Sequence, residues 1–183
     1  MANKISIKKR DTVPIVINVT QKVSSSKDTT FTSTRVTDGS AWDLAQVKVG
    51  MKVLAEEGSI GTITAVDDGN DLLDVSSWDG GTPDTGERVS IDDVTVNITG
   101  YTFFFTAKTT DTDADVDAII DSDVTSHTDA TSGQTTITLS TTDTDVDTGT
   151  ISYDIQMKDG SGNITTLVKG DLEIIQDVTV RVS

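Results

Sequence analysis

The residues with the most chemistry to offer are aspartates at alternate positions. Asp111, Asp113, Asp115 and Asp117 form one such run, and Asp143, Asp145 and Asp147 form another. A D-x-D-x-D spacing is how a calcium loop begins, because hard cations take several carboxylate oxygens from one short segment. The twelve-residue calcium loop also needs Gly at its sixth position and Glu at its twelfth. Counted from Asp111, those positions hold Val116 and Ser122. The candidates for an irregular Ca²⁺ site are therefore Asp111, Asp113, Asp115, Asp143, Asp145 and Asp147, and Ca²⁺ is the one cofactor the sequence raises. Asp67, Asp68, Asn70, Asp71 and Asp74 also cluster, but Asp-Asp-Gly-Asn is what a tight turn requires. His127 is the only histidine. With no nucleophile elbow near it, it reads as a solvated loop residue and not as a triad base. No phosphate-binding loop or dinucleotide fingerprint occurs, and no pair among the acids is singled out for glycoside hydrolysis. The reading is of a non-enzymatic protein. Trp42, Trp78 and Tyr101 offer ring faces to a glycan, against the plainer role of filling a core.

Charge narrows the partners. The chain of 183 residues carries a net charge of −16, with 26 Asp against 4 Glu. Such a surface repels a phosphate backbone, whose binding requires Lys and Arg to release counterions, and it repels an anionic membrane. The expected partners exclude nucleic acid and membrane. The only basic cluster is Lys8-Lys9-Arg10, a natural contact for an acidic partner. There is no Cys, no run of transmembrane length and no apolar core to the N-terminal segment of the kind a secretory signal needs.

The elements that must position these residues are strands. Hydrophobic content is 34% and aromatic content 4%, yet the apolar residues alternate. Val94 to Lys108 holds three of the four Phe. Within it Tyr101, Phe103 and Phe105 share one face, and Thr102, Phe104 and Thr106 the other. Aromatics on both faces predict a central strand of a two-layer structure. Ile5 and Ile7, then Ile15, Ile17 and Val19, predict two strands at the start, the second either starting at Pro14 or lying at an edge. Residues 21–34 are Ser/Thr-rich and read as a linker. Residues 31–92 hold both Trp and four or five short alternating segments between Gly-rich turns, the texture of a small SH3-like or KOW-type barrel. Val116 to Ile120 reads as a helical turn or edge strand, followed by loop to Gln134. Thr136–Ser140, Ile151–Lys158 and Ile164–Val168 read as strands. Gly170 then turns the chain into a last strand, Leu172–Val182.

From Asp93 to Thr179 the motifs GYTFFFTAK, DADVDAII, TSGQTTITLSTTDTD, YDIQMKDGSGNITTLVKGDLEI and QDVT occur in that order. The ordered set resembles the N-terminal domain of the baseplate upper protein family of tailed phages, with Asp11–Thr20 as its first strand. The resemblance implies an all-β fold, an immunoglobulin-like antiparallel β-sandwich over 1–30 and 93–183 that attaches to a virion. The barrel of 31–92 interrupts it where the family has a short turn. The family's long C-terminal part, which carries trimerisation and attachment of the receptor-binding device, has no counterpart in these residues.

The expected function is a structural component of a tailed-virus particle, in the tail or baseplate. Its partners would be other virion proteins and copies of itself. The alternatives are a capsid decoration or head-fibre protein, or a carbohydrate-binding host-recognition module that contacts glycan through the insert. The expected interface residues are Lys8, Lys9 and Arg10, facing a partner's acidic loops, together with Glu173, Val178, Val180 and Val182 on a terminal strand held by a neighbour.

Overall fold

The computed structural model describes residues 3–40 and 42–177. It is all-β, and the only helical turns among these residues are two three-residue 3₁₀ turns, Asp68–Asn70 and Asp115–Asp117. The chain opens with β1 (Asn3–Lys8) and β2 (Val13–Asn18). It continues through β3 (Thr20–Ser24), β4 (Thr29–Thr32), β5 (Arg35–Asp38), β6 (Lys52–Ala55), β7 (Ile60–Asp67), β8 (Leu72–Asp79) and β9 (Val89–Thr95). It then runs through β10 (Thr102–Lys108), β11 (Ile120–Val124), β12 (Gln134–Leu139), β13 (Gly149–Lys158) and β14 (Ile164–Ile175).

Two compact units result. One combines residues up to Asn18 with those from Ile98 onward, and the other is the continuous segment Val19–Asn97. The first unit holds a curled five-stranded sheet in the order β1-β14-β13-β10-β11 and a two-stranded sheet, β12-β2. β10 has a partner on either side. Its alternation decides its faces: Phe103, Phe105 and Ala107 are fully buried, while Phe104 and Thr106 are half-buried. Phe105 stacks on Tyr153 of β13 at 5.6 Å between ring centres. The smaller sheet buries Thr135, Ile137 and Leu139, which lie opposite Ile17, Ile15 and Val13.

The second unit is one curled antiparallel sheet, β3-β9-β6-β7-β8-β5-β4. Its core contains Val36, Val53, Leu73, Val75 and Ile91, together with Trp42 and Trp78. Gly61 lies where β7 packs closest, with room for no side chain. A methyl group built there would stand 2.9 Å from Val75 Cγ1 and 3.2 Å from Val53 Cγ1.

Several expectations are corrected by the structure. The stretch Val94–Lys108 is not one strand. Gly100 at φ 79°, with the Tyr101 N–H bonded to the Ile98 carbonyl, turns the chain between β9 and β10. Residues 21–34 are not a linker, because they carry β3 and β4, and Val23 and Thr29 are buried. Ser24, Thr30 and Thr32 occupy outward positions of these short strands. The second unit accordingly begins at Val19 and ends at Asn97, outside the expected limits of 31 and 92. The loop expected after Ile120 is in part an edge strand, β11. Gly170 does not turn the chain; it lies inside β14 opposite Tyr153. Nor is the pairing wholly antiparallel, since β1 runs parallel to β14 from Asn3–Gly170 to Lys8–Ile175.

Candidate functional site

The Asp111–Asp117 loop follows β10 and folds over the outer face of the five-stranded sheet. Thr110 fixes its start, donating its backbone N–H and its hydroxyl to the two Asp113 carboxylate oxygens at 2.9 and 2.8 Å. These bonds hold the Asp113 carboxyl below the usual carboxylate range. Lys169 on β14 donates to Asp111 at 2.9 Å and depresses its pKa likewise. Lys108, at the end of β10, bonds both the Asp113 carbonyl and the Asp115 carboxylate, which raises its own pKa. A small cleft of about 50 Å³ lies here, lined by Thr106, Lys108, Asp111, Ser152, Asp154 and Lys169. The three expected calcium ligands therefore point to separate partners, two of them lysines.

The second aspartate run is divided in the same way. Asp143 accepts from the backbone N–H and hydroxyl of Ser140, both at 2.7 Å, closing a turn after β12. Asp145 faces the turn between β1 and β2, where Arg10 Nε stands 3.0 Å and Lys9 Nζ 3.5 Å from its carboxylate. The bond from Arg10 is the main reason its carboxyl is held low. Arg10 adopts φ 65°, a conformation costly for a residue with a Cβ. The turn is held there by the Arg10 N–H bond to the Thr144 carbonyl and by the fully buried Thr144 hydroxyl, which donates to the Asp11 carbonyl at 2.7 Å. Asp147 lies exposed beyond this clamp. Among the described residues no three His, Cys, Asp or Glu side chains are grouped so as to hold a metal ion.

The expected interface residues are likewise engaged within the chain. Lys9 and Arg10 meet Asp145 of their own chain. Lys8 ends β1 opposite Ile175. Glu173 accepts from the Ser6 hydroxyl at 2.8 Å and lies 3.1 Å from Lys4 Nζ, both on β1. The two terminal strands thus hold each other. Val178, Val180 and Val182 lie outside the described residues.

His127 is not a solvated loop residue. It is half-buried, edge-on to Phe103 at 5.5 Å. Its Nε2 lies 3.1 Å from the Tyr101 carbonyl and its Nδ1 3.0 Å from the buried Thr135 hydroxyl. A carbonyl only accepts, so Nε2 carries the proton of this contact. The ring ties the start of β10 to β12. Nothing local in the sequence marks it, because its partners are brought together by the fold.

Two of the three aromatic glycan candidates, Trp42 and Trp78, serve packing, whereas Tyr101 is half-buried. Trp42 and Trp78 are 3% and 8% exposed, and the Trp78 ring N–H donates to the Thr32 carbonyl. Sequence reasoning missed an open groove of about 710 Å³ in the second unit, whose lining includes Leu54, Ile60, Thr62, Ser76 and Ser90. Leu54 and Ile60 lie opposite each other on β6 and β7 and are 38% and 41% exposed. The signal was present in the alternation of β6, where Val53 and Ala55 point inward and Leu54 therefore outward. Comparison of the chain with known protein families, catalogued proteins and solved structures finds no match.

Proposed function

We propose that this chain is a non-enzymatic structural component of a tailed-virus particle, an attachment or adaptor protein of the tail or baseplate. In this reading the five- and two-stranded sheets of the first unit are the layers of an immunoglobulin-like sandwich. The second unit is a small SH3-like barrel inserted between β2 and β10. One observation carries the proposal. The motifs that resemble the baseplate upper protein family occupy β10, β12, β13 and β14, with DADVDAII in the connection that leads into β11, and three of these four strands, β14, β13 and β10, are neighbours in one sheet. The resemblance therefore follows a structural layer and is not scattered over the surface. The chemistry of the loops agrees with a scaffolding role, since their charges are spent on fastening turns to strands.

The partners are other virion proteins and copies of the chain, at the particle surface. The groove beside Leu54 and Ile60, bordered by Thr and Ser hydroxyls, is the place in the insert where a glycan contact would be sought.

The test is quantitative composition and a density map of purified particles. The proposal expects a fixed, symmetry-compatible copy number and density for both units at the tail or baseplate. Density on the capsid would instead establish the decoration reading. Absence of the chain from particles, with retention of glycans by the isolated protein, would replace both by host recognition.

A further inference from the structure

We propose that the open edge of β14 from Ile164 to Val168 is a self-pairing edge, which takes the same edge of a second copy of this chain in antiparallel register. β14 is twelve residues long. β13 covers one side of it from Ile164 to Ile174, whereas β1 covers the other side only from Gly170 onward. Among the described residues, no strand lies against Ile164–Lys169 on that second side. Alternate residues of an antiparallel strand direct both N–H and C=O away from their partner, so this half of β14 presents unpaired backbone groups.

The other strand edges are guarded. β11 carries Asp121 and Asp123, β1 carries Lys4 and Lys8, β3 carries Lys22, and β2 carries Pro14. On β4 the Thr29 carbonyl accepts the Gly86 N–H and the Thr32 carbonyl accepts the Trp78 ring N–H. β12 is flanked by the Asp129–Gln134 backbone bridge and by side-chain bonds from His127 and Thr128. The stretch Ile164–Val168 of β14 has none of these guards, and Lys169, which ends it, is bonded to Asp111. The stretch reads Ile-Thr-Thr-Leu-Val, without charge, Pro or Gly, and Ile164 is 61% exposed.

Charge identifies the occupant. A basic partner would be drawn to the acidic loops and not to a neutral strand. Two copies of a chain of charge −16 repel wherever their loops approach, and an edge without charge is where they meet at least cost. Pairing about a two-fold axis near Thr166 puts Ile164 of one copy opposite Val168 of the other. It also carries Lys169 of one copy toward the other's Asp159 turn, an attraction of opposite charges. The register shift that leaves Leu167 unpaired against β13, and β1 beginning at Gly170, both limit the ladder. The result is a closed dimer and not a growing sheet.

The inference goes beyond the virion reading, and the two fail separately. The test is sedimentation equilibrium of the full chain at 0.15 and 0.5 M NaCl, with the variants Thr166→Lys, Thr166→Asp and Thr166→Val. The wild type and Thr166→Val should dimerise, more tightly at the higher salt because repulsion is screened. Thr166→Lys and Thr166→Asp should each weaken self-association by roughly tenfold or more, since like charges then face each other across the axis. An equimolar mixture of the two should recover the dimer. Thr166 is exposed, and unchanged circular dichroism would show that the variants fold. A wild type that stays monomeric at both salts overturns the inference. So do charged variants that associate like the wild type, or a mixture that fails to recover. A chain present in particles but monomeric in solution would overturn this inference alone. A dimer absent from particles would overturn only the virion reading.

Discussion

Replacing Gly61 by Ala should destabilise the second unit in the wild-type background and cost less when Val75 is also replaced by Ala. The new methyl would stand 2.9 Å from Val75 Cγ1, 3.1 Å from Val75 Cβ and 3.2 Å from Val53 Cγ1, short of the roughly 3.5 Å at which carbon atoms begin to attract. Val53 and Val75 are themselves buried to 0% and 2% exposure, with no free space to retreat into. Overpacking of this kind costs about 1–3 kcal/mol. Against it stands about 0.4–1 kcal/mol from the reduced freedom of the unfolded chain, available because Gly61 is not among the glycines with positive φ. The net expectation is a loss of about 1–2 kcal/mol. Val75→Ala alone should cost about 2 kcal/mol through lost burial and the void it leaves. In the double variant the 2.9 Å contact with Val75 Cγ1 is gone, while the Cβ at position 75 and Val53 Cγ1 still stand 3.1 and 3.2 Å from the new methyl, so adding Gly61→Ala should then cost less than about 1 kcal/mol. The coupling between the two sites is thus about 1 kcal/mol, outside additivity. Urea unfolding followed by tryptophan fluorescence measures it, because Trp42 and Trp78, the only two tryptophans, both lie in this unit. If Gly61→Ala has the same effect in both backgrounds, the close packing of β7 against β8 is wrong.

Phe105→Ala should cost about 3–5 kcal/mol in the first unit, whereas Phe104→Ala, on the half-buried face of the same strand, should cost less than half as much. Equal losses by calorimetry would contradict the assignment of faces on β10. Added NaCl should raise the melting temperature by screening the charge of −16, and CaCl₂ at equal ionic strength should act no differently. A further rise at micromolar Ca²⁺ would assign a metal site to the aspartate loops. Acid should destabilise the fold. Asp74, Asp111, Asp113, Asp145, Asp159 and Glu173 all have lowered pKa values from their bonds to cations, hydroxyls and backbone N–H groups. The stability they supply is fully present above the ordinary carboxylate pKa of about 4 and is lost as pH falls through their lowered values. Melting temperature should therefore fall as the pH drops below about 4, and a melting temperature that holds or rises down to about pH 2.5 would show that these bonds contribute nothing.

Much of the strand content was legible because a period of two is a local property. Phe103, Phe105 and Ala107 alternate with Thr102, Phe104 and Thr106, and the same alternation separates buried from half-buried residues in β10. Asp159-Gly160-Ser161-Gly162-Asn163 announced a turn, and its aspartate accepts the Ser161 and Asn163 N–H groups at 2.9 and 2.8 Å. Legibility failed where polar residues occupy outward strand positions. β3 and β4 look like a linker because each shows only one or two inward residues.

Partner choice was decided by the tertiary structure alone. Whether β1 pairs with β14 depends on residues 167 positions apart, such as Ser6 and Glu173, and the local pattern of either strand would suit many partners. The same holds for the charges. Lys9, Arg10 and the two aspartate runs are recognisable in the sequence as charges in search of counterions. That Arg10 and Lys9 meet Asp145, and that Lys169 meets Asp111, follows from strand order and register. Alternation along a strand specifies which side of a residue is buried, but a salt bridge or the position of His127 requires two distant segments to arrive at one place. That arrival is set by the cooperative packing of the whole unit.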